Sequence, residues 1–227
     1  MAIAETHGVY KDFVQGDETI HALKPTNFAA EPGQFIALIG PSGSGKSTLL
    51  TLLGGLQAPT GGSVFVDGKD LASMDDKERS GTRLRSIGFI LQSANLVPFL
   101  TVNQQLELHD RAAENRGARQ KDRDELLDSL GILKLAKKYP RELSGGEQQR
   151  AAIARALYGS PALILADEPT AALDTSRAFD VADLLREQAR SRNTAIIMVT
   201  HDERLVEHVD RVLHIADGAL EEVTGGR

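Results

Sequence analysis

Gly40-Pro41-Ser42-Gly43-Ser44-Gly45-Lys46-Ser47-Thr48 is the stretch that decides how the rest of the chain is read. It fits G-x-x-x-x-G-K-[ST], with an apolar run over residues 34 to 39 (QFIALI) before it and a helical pattern over 46 to 54 after it. Glycines are needed because backbone N–H groups must point inward and touch phosphate oxygens, an approach that a Cβ would obstruct. The helix starting near Gly45 adds the positive end of its dipole. Lys46 is placed to span the β- and γ-phosphates of a nucleotide, and the Ser47 hydroxyl to ligate Mg²⁺. The chemistry expected here is binding of a nucleotide's phosphates with Mg²⁺.

Working outward, further short apolar runs occur at 87 to 91 (IGFIL), 162 to 166 (ALILA) and 194 to 199 (TAIIMV). They read as strands buried on both faces, and helical stretches at 122 to 137, 147 to 158 and 176 to 190 alternate with them. That alternation predicts a mainly parallel α/β sheet. Residues 3 to 30 and 63 to 67 (SVFVD) alternate instead, as an antiparallel edge sheet would, and Asp217-Gly218 between runs 211 to 216 and 219 to 223 signals a type I′ hairpin. From Asp110 to Lys138 charge is dense, and Leu126, Leu127, Leu130 and Leu133 follow an amphipathic helical pattern. A helical subdomain over about 95 to 158 is expected, inserted into a core of 1 to 94 and 159 to 227; a single long crossover helix is the plainer alternative.

A phosphate loop needs a carboxylate opposite it, and Leu163-Ile164-Leu165-Ala166-Asp167-Glu168 ends a buried run in an acidic pair. Ligands of a parallel sheet sit at the carboxyl ends of its strands. Asp167 is therefore expected in the Mg²⁺ shell, and Glu168 as the group that takes the attacking water's proton. Without the phosphate loop the same pair would read as a solvated strand end.

Composition narrows the setting. The chain has 227 residues, 41% apolar and 26% charged, and its longest apolar run is five residues, far below the roughly 20 that cross a bilayer. No apolar leader is expected near the N-terminus, where Glu5 and Asp12 lie. With no Cys there are no disulfides or thiolate metal sites, which fits a reducing compartment. Thirty-two acidic against 26 basic side chains give a net charge of −6, so a nucleic-acid partner is not expected.

Leu143-Ser144-Gly145-Gly146-Glu147-Gln148-Gln149-Arg150 then leads into AAIARALY. Ser144 and Glu147 form S-x-x-E, a capping box for the following helix, but capping does not require the two glycines. They leave the helix start bare enough for an anion to approach. At this point the sequence resembles the ATP-binding cassette (ABC) ATPases, whose signature LSGGQ stands here with Glu147 in its fifth position. The resemblance covers essentially the whole chain. It implies a P-loop NTPase cassette with a mainly parallel core sheet, an antiparallel N-terminal β-subdomain and an inserted helical subdomain.

The resemblance also implies roles, position by position. Two cassettes close head to tail as a homodimer, so Ser144, Gly145, Gly146 and Glu147 would meet the nucleotide bound by the partner. Gln92 matches the Q-loop glutamine that touches Mg²⁺ and water. Ala171-Ala172-Leu173-Asp174 matches the D-loop, with Asp174 organising the dimer and Ala171-Ala172 replacing the more usual pairs before Leu173. His201, after TAIIMVT, matches the switch histidine that contacts the γ-phosphate and fixes the geometry around Glu168. In Val9-Tyr10-Lys11-Asp12-Phe13 the spacing points to Phe13 as the adenine-stacking aromatic, with Tyr10 the other choice.

A cassette without membrane spans is expected to drive a separate permease from the cytoplasmic face of the cell membrane. Asn95-Leu96-Val97-Pro98-Phe99-Leu100 would either dock that permease or pack the helical subdomain. Gly88-Phe89-Ile90-Leu91-Gln92 and Leu165-Ala166-Asp167-Glu168-Pro169-Thr170 resemble the export-type subfamily that pairs with two four-span permeases. Leu49-Leu50-Thr51-Leu52-Leu53-Gly54-Gly55-Leu56, Gln92-Ser93, Leu96-Val97-Pro98, Leu100 and Gln105-Leu106 look like the ATPase subunit of haem exporters. Macrolide or peptide efflux, lipoprotein release, a soluble ABC regulator and a non-catalytic scaffold are the other functional classes left open.

Overall fold

The computed structural model describes residues 1–113, 120–171 and 173–223. Two long strands open the chain, β1 (Ala4–Gln15) and β2 (Glu18–Ala30), followed by β3 (Phe35–Ile39) and α1 (Lys46–Leu53). Next come β4 (Gly61–Val66), β5 (Lys69–Asp70), α2 (Asp76–Ser86) and β6 (Ile87–Ile90). The helices α3 (Val102–Ala112), α4 (Gln120–Ser129) and α5 (Gly145–Leu157) lie between β6 and β7 (Leu163–Asp167). Then follow α6 (Thr175–Arg192), β8 (Ala195–Val199), β9 (Arg211–Ala216) and β10 (Ala219–Val223).

Six strands form the core sheet in the order β10-β9-β3-β8-β7-β6. All its pairs are parallel except the β9–β10 hairpin, whose turn places Asp217 and Gly218 at φ 47° and 75° as a type I′ turn requires. The other sheet, β2-β1-β4-β5, is antiparallel throughout. Alternation with a period of two sends core-strand residues to opposite faces. Phe35, Ile164, Ala166, Ile196 and Met198 join the cluster that includes α5 and α6. Ile36, Leu38, Leu163, Leu165, Ile197 and Val199 join the one that includes α1 and the antiparallel sheet. Both faces are covered, so these strands are apolar without interruption, and each fully buried Leu or Ile contributes about 1.5–3 kcal/mol.

The structure departs from the sequence reading in three places. The helix expected over 122 to 137 stops at Ser129, because Gly131 turns the chain into the left-handed region at φ 70°. Ile132 fills the apolar site instead, while Leu133 is exposed at the start of a single 3₁₀ turn, Leu133–Leu135. The strand expected to run to Leu91 ends at Ile90, since β6 is an edge strand paired only with β7; Gln92 thus lies in a bend beyond it. Finally, α2 was not expected, being almost wholly polar, although Asp75 and Glu78 form a capping box that marks its start. Among the described residues no helix is long and apolar enough to cross a membrane.

Candidate nucleotide site

β3 delivers the chain into the glycine loop, and two of its glycines are dictated by geometry. At Gly40 (φ 149°) a Cβ would collide with the Ile215 carbonyl oxygen of β9. At Gly45 (φ 111°) it would come 2.5 Å from the Ala22 carbonyl oxygen of β2. Gly45 is also the N-cap of α1 and offers no side-chain hydrogen bond, so the helix start is left to other partners. Lys46 is buried, with its ammonium donating to the carbonyls of Gly40 (2.8 Å) and Pro41 (2.6 Å). Its charge is thereby held over the loop.

The sheet order places the remaining groups. β8 lies between β3 and β7, so the residues leaving their carboxyl ends converge on one cavity of about 440 Å³. Gly40, Ser42, Gly43, Gly45, Lys46, Ser47 and Thr48 line one side, and Asp167, Glu168 and His201 the other. Burial, and after it the neighbouring Glu168, push the Asp167 carboxyl above the ordinary carboxylate range, while Lys46 pulls it back. Glu168 adopts φ 47°, a left-handed conformation that costs about 1–2 kcal/mol for a residue with a Cβ, and its N–H donates to the Val199 carbonyl at 3.0 Å. Glu168 Oε2 lies 3.1 Å from His201 Nδ1. A carboxylate only accepts, so Nδ1 carries the proton of this contact.

The donor set suits a nucleotide with a hard divalent cation. The loop supplies inward space at Gly43, where a Cβ would meet nothing within 4 Å, a fixed ammonium and an uncapped helix start. Ser47 and Asp167 line the cavity with two oxygen donors of the kind Mg²⁺ takes, too few for a protein cage, so the ion would need water and phosphate as well. Among the described residues no cluster of three or more His, Asp or Glu side chains could hold a metal by itself.

Other residues singled out from sequence lie away from this cavity. Pro41 acts through its carbonyl, and the buried Ser44 hydroxyl has no partner. Gln92 is exposed beyond β6. Ser144 caps α5 as expected: its N–H donates to Glu147 Oε2 at 2.7 Å and its hydroxyl accepts from the Glu147 N–H at 3.4 Å. The backbone bond, then the hydroxyl, hold the Glu147 carboxyl below its ordinary range. Gly145 and Gly146 are open on their Cβ sides. Ser144, Gly146 and Glu147 line a second cavity with Leu173 and Arg177, and it shares no residue with the glycine-loop cavity. Asp174 caps α6 by accepting from the Arg177 N–H at 3.1 Å; Ala172, in the same stretch, lies outside the described residues.

The two candidate aromatics separate clearly. Tyr10 packs its ring onto Gly61, which has no room for a Cβ there, whereas Phe13 is 38% exposed with the Lys11 ammonium 5.2 Å from its ring centroid. Phe13 pairs with Ile20 on β2, two residues before Ala22, whose carbonyl abuts Gly45. Sequence reasoning missed Gln149: it is buried on α5 and donates to the Pro169 carbonyl at 2.8 Å, tying the signature helix to the turn after Glu168. A glutamine facing inward among Ala151, Ala152 and Ile153 was the available signal. In the loop after β6, Phe99 is exposed, and Leu96 packs on the core.

Comparison with known proteins identifies the family. The ABC transporter family profile matches residues 23–171. A Staphylococcus haemolyticus protein named "Putative hemin import ATP-binding protein HrtA" is 45% identical over 222 residues, spanning 97% of this chain and all of that one. The Staphylococcus aureus protein of the same name is 44% identical over 214 residues, spanning 93% of this chain and 96% of its own. Among solved structures, the dimeric post-hydrolysis state of the cassette MJ0796 bound to ADP and Pi is 37% identical, with a TM-score of 0.85, over 98% of this chain and all of that one. The cbiO1 protein of Clostridium perfringens, part of the transporter complex cbiONQ, is 30% identical with a TM-score of 0.85, over 97% of this chain and 87% of that one. The chain belongs to the ABC transporter family, as an ATP-binding and ATP-hydrolysing subunit.

Proposed function

We propose that two copies of this chain close head to tail on two Mg·ATP and so move a separate membrane permease at the cytoplasmic face. The observation that carries this reading is the division of the machinery into two cavities with no shared residue. One chain holds the phosphate loop in one place and the signature glycines in another, so a second copy is needed to bring them onto one nucleotide. A neighbouring structure, the MJ0796 cassette with ADP and Pi, is dimeric.

In this reading the loop amides and Lys46 bind the phosphates, and Ser47 and Asp167 hold Mg²⁺, with Gln92 reaching it on closure. Bound Mg²⁺ would neutralise charge on the phosphate oxygens. Glu168 accepts the proton of the attacking water at its free carboxylate oxygen. His201 keeps Nδ1 on Glu168 and leaves Nε2 toward the γ-phosphate. Ser144, Gly145, Gly146 and Glu147 close on the partner's nucleotide, Asp174 lies at the dimer contact, and Phe13 stacks on adenine. Residues 95–158 act as a helical subdomain on a core of 1–94 and 159–227.

We take hemin as the cargo, because the two staphylococcal relatives carry it in their names. Their names read import; the export-type motifs at the ends of β6 and β7 favour outward movement through two four-span permease subunits. Reconstitution with the permease in inverted vesicles tests all of this. Hemin-stimulated ATP hydrolysis with ATP-dependent accumulation inside the vesicles is expected. Hydrolysis indifferent to hemin would remove the cargo, and depletion from the vesicle lumen would reverse the direction.

A further inference from the structure

Arg204 reaches in two directions from the segment that follows His201. Its Nε donates to Asp202 Oδ1 at 2.8 Å and its Nη2 to Asp202 Oδ2 at 2.7 Å, a two-pronged grip on one carboxylate. Its Nη1 donates to the Thr175 hydroxyl at 3.0 Å. Thr175 is the first residue of α6, directly after the helix-capping Asp174. Asp202 is fixed as well, since its N–H donates to the Thr200 hydroxyl at 3.1 Å and its carboxylate accepts the Arg204 N–H at 3.1 Å. The guanidinium thus spans 29 residues of sequence, joining the segment that carries His201 to the segment that carries Asp174.

We infer that Arg204 is a positioning residue for hydrolysis, strapping the histidine segment to the start of α6. Both segments lead back to Glu168: one through the His201 contact at 3.1 Å, the other through the chain from Glu168 to Asp174. The strap closes that loop. His201 is otherwise exposed, its side chain 66% accessible, and needs its backbone held if Nδ1 is to stay on Glu168. A planar fork meets a carboxylate and a hydroxyl at once, which an ammonium cannot do with the same geometry. No atom of the strap lines the nucleotide cavity, so its loss should act on turnover rather than on binding.

The inference rests on the assignment of His201 and Glu168 proposed above, and the test separates the two. Steady-state hydrolysis is measured for Arg204→Ala, Thr175→Val, the double variant, and each of the two single changes in a His201→Ala background. Each single variant should lower kcat about five-fold with KM for ATP unchanged, since small misplacements of a reacting group cost rate. The double variant should be no slower than Arg204→Ala, and neither change should slow His201→Ala further. Unchanged kcat in both singles, multiplying losses in the double, or equal losses in the His201→Ala background would each overturn the strap. Full activity of His201→Ala would overturn the site assignment itself, and the strap with it. Thr175→Val nearly conserves shape, so it carries the test alone if Arg204→Ala does not fold.

Discussion

His201 Nδ1 and Glu168 Oε2 stand 3.1 Å apart although 33 residues separate them in the chain. The contact exists because β8 pairs in parallel with β7, Asp167 opposite Val199, so that His201, two residues past the end of β8, comes beside Glu168, one residue past the end of β7. It orients the carboxylate that faces the glycine loop. The backbone of Glu168 is constrained as well, at φ 47°.

Replacing Glu168 by Gln keeps the shape and removes the proton acceptor. Steady-state hydrolysis should fall at least about 100-fold while ATP affinity is preserved, and the variant should accumulate as an ATP-bound dimer on gel filtration. Hydrolysis at the unaltered rate would remove Glu168 from its role.

Lys46→Ala should abolish detectable ATP binding by calorimetry. The ammonium that bridges the Gly40 and Pro41 carbonyls also supplies the site's fixed positive charge, so both loop order and phosphate attraction are lost. Normal affinity would contradict the phosphate-loop assignment.

Asp167 carries a pH-dependent stability signature. Its folded pKa is raised by burial and by Glu168, so its proton is held more tightly in the folded state than in the unfolded chain. Its contribution is fully present below the unfolded carboxylate value and is lost as pH rises through the raised folded value. At neutral pH the charged form therefore costs stability. Asp167→Asn should raise the Tm of the nucleotide-free protein at pH 7, by an increment that shrinks as the pH is lowered, and it should weaken the Mg²⁺ dependence of ATP binding. A lower Tm at pH 7 would contradict the stated sign.

Phe13→Ala should weaken ATP binding about five-fold, the equivalent of about 1 kcal/mol of stacking. Tyr10→Ala should instead lower the Tm and spare affinity, because its ring covers Gly61. The opposite pattern would assign adenine to Tyr10.

Between α3, α4 and α5, Asp110 Oδ2 accepts from Arg123 Nη1 at 2.7 Å and from the Tyr158 hydroxyl at 2.9 Å. Arg123→Ala strands a buried carboxylate and should cost about 3 kcal/mol in urea unfolding. Tyr158→Phe removes one neutral donor and should cost about 1 kcal/mol. Equal costs would mean that the pair's charges are screened by solvent.

What could be read from the sequence was local. The glycine loop, the acidic pair ending β7, the Ser144–Glu147 cap and the Asp217-Gly218 hairpin each depend on a few consecutive residues whose backbone chemistry dictates their use. Helix ends were less legible, since Gly131 stops a helix that the leucine spacing alone would carry on through Leu133. His201 beside Glu168 was implied by the family resemblance, and the tertiary structure decided which other local pieces meet: Arg204 with Thr175, Asp110 with Arg123 and Tyr158, Tyr10 with Gly61. Strand order and sheet packing set those distances, and neither is encoded in the spacing of any one segment, because it is the burial of both faces of the core sheet that brings the segments together.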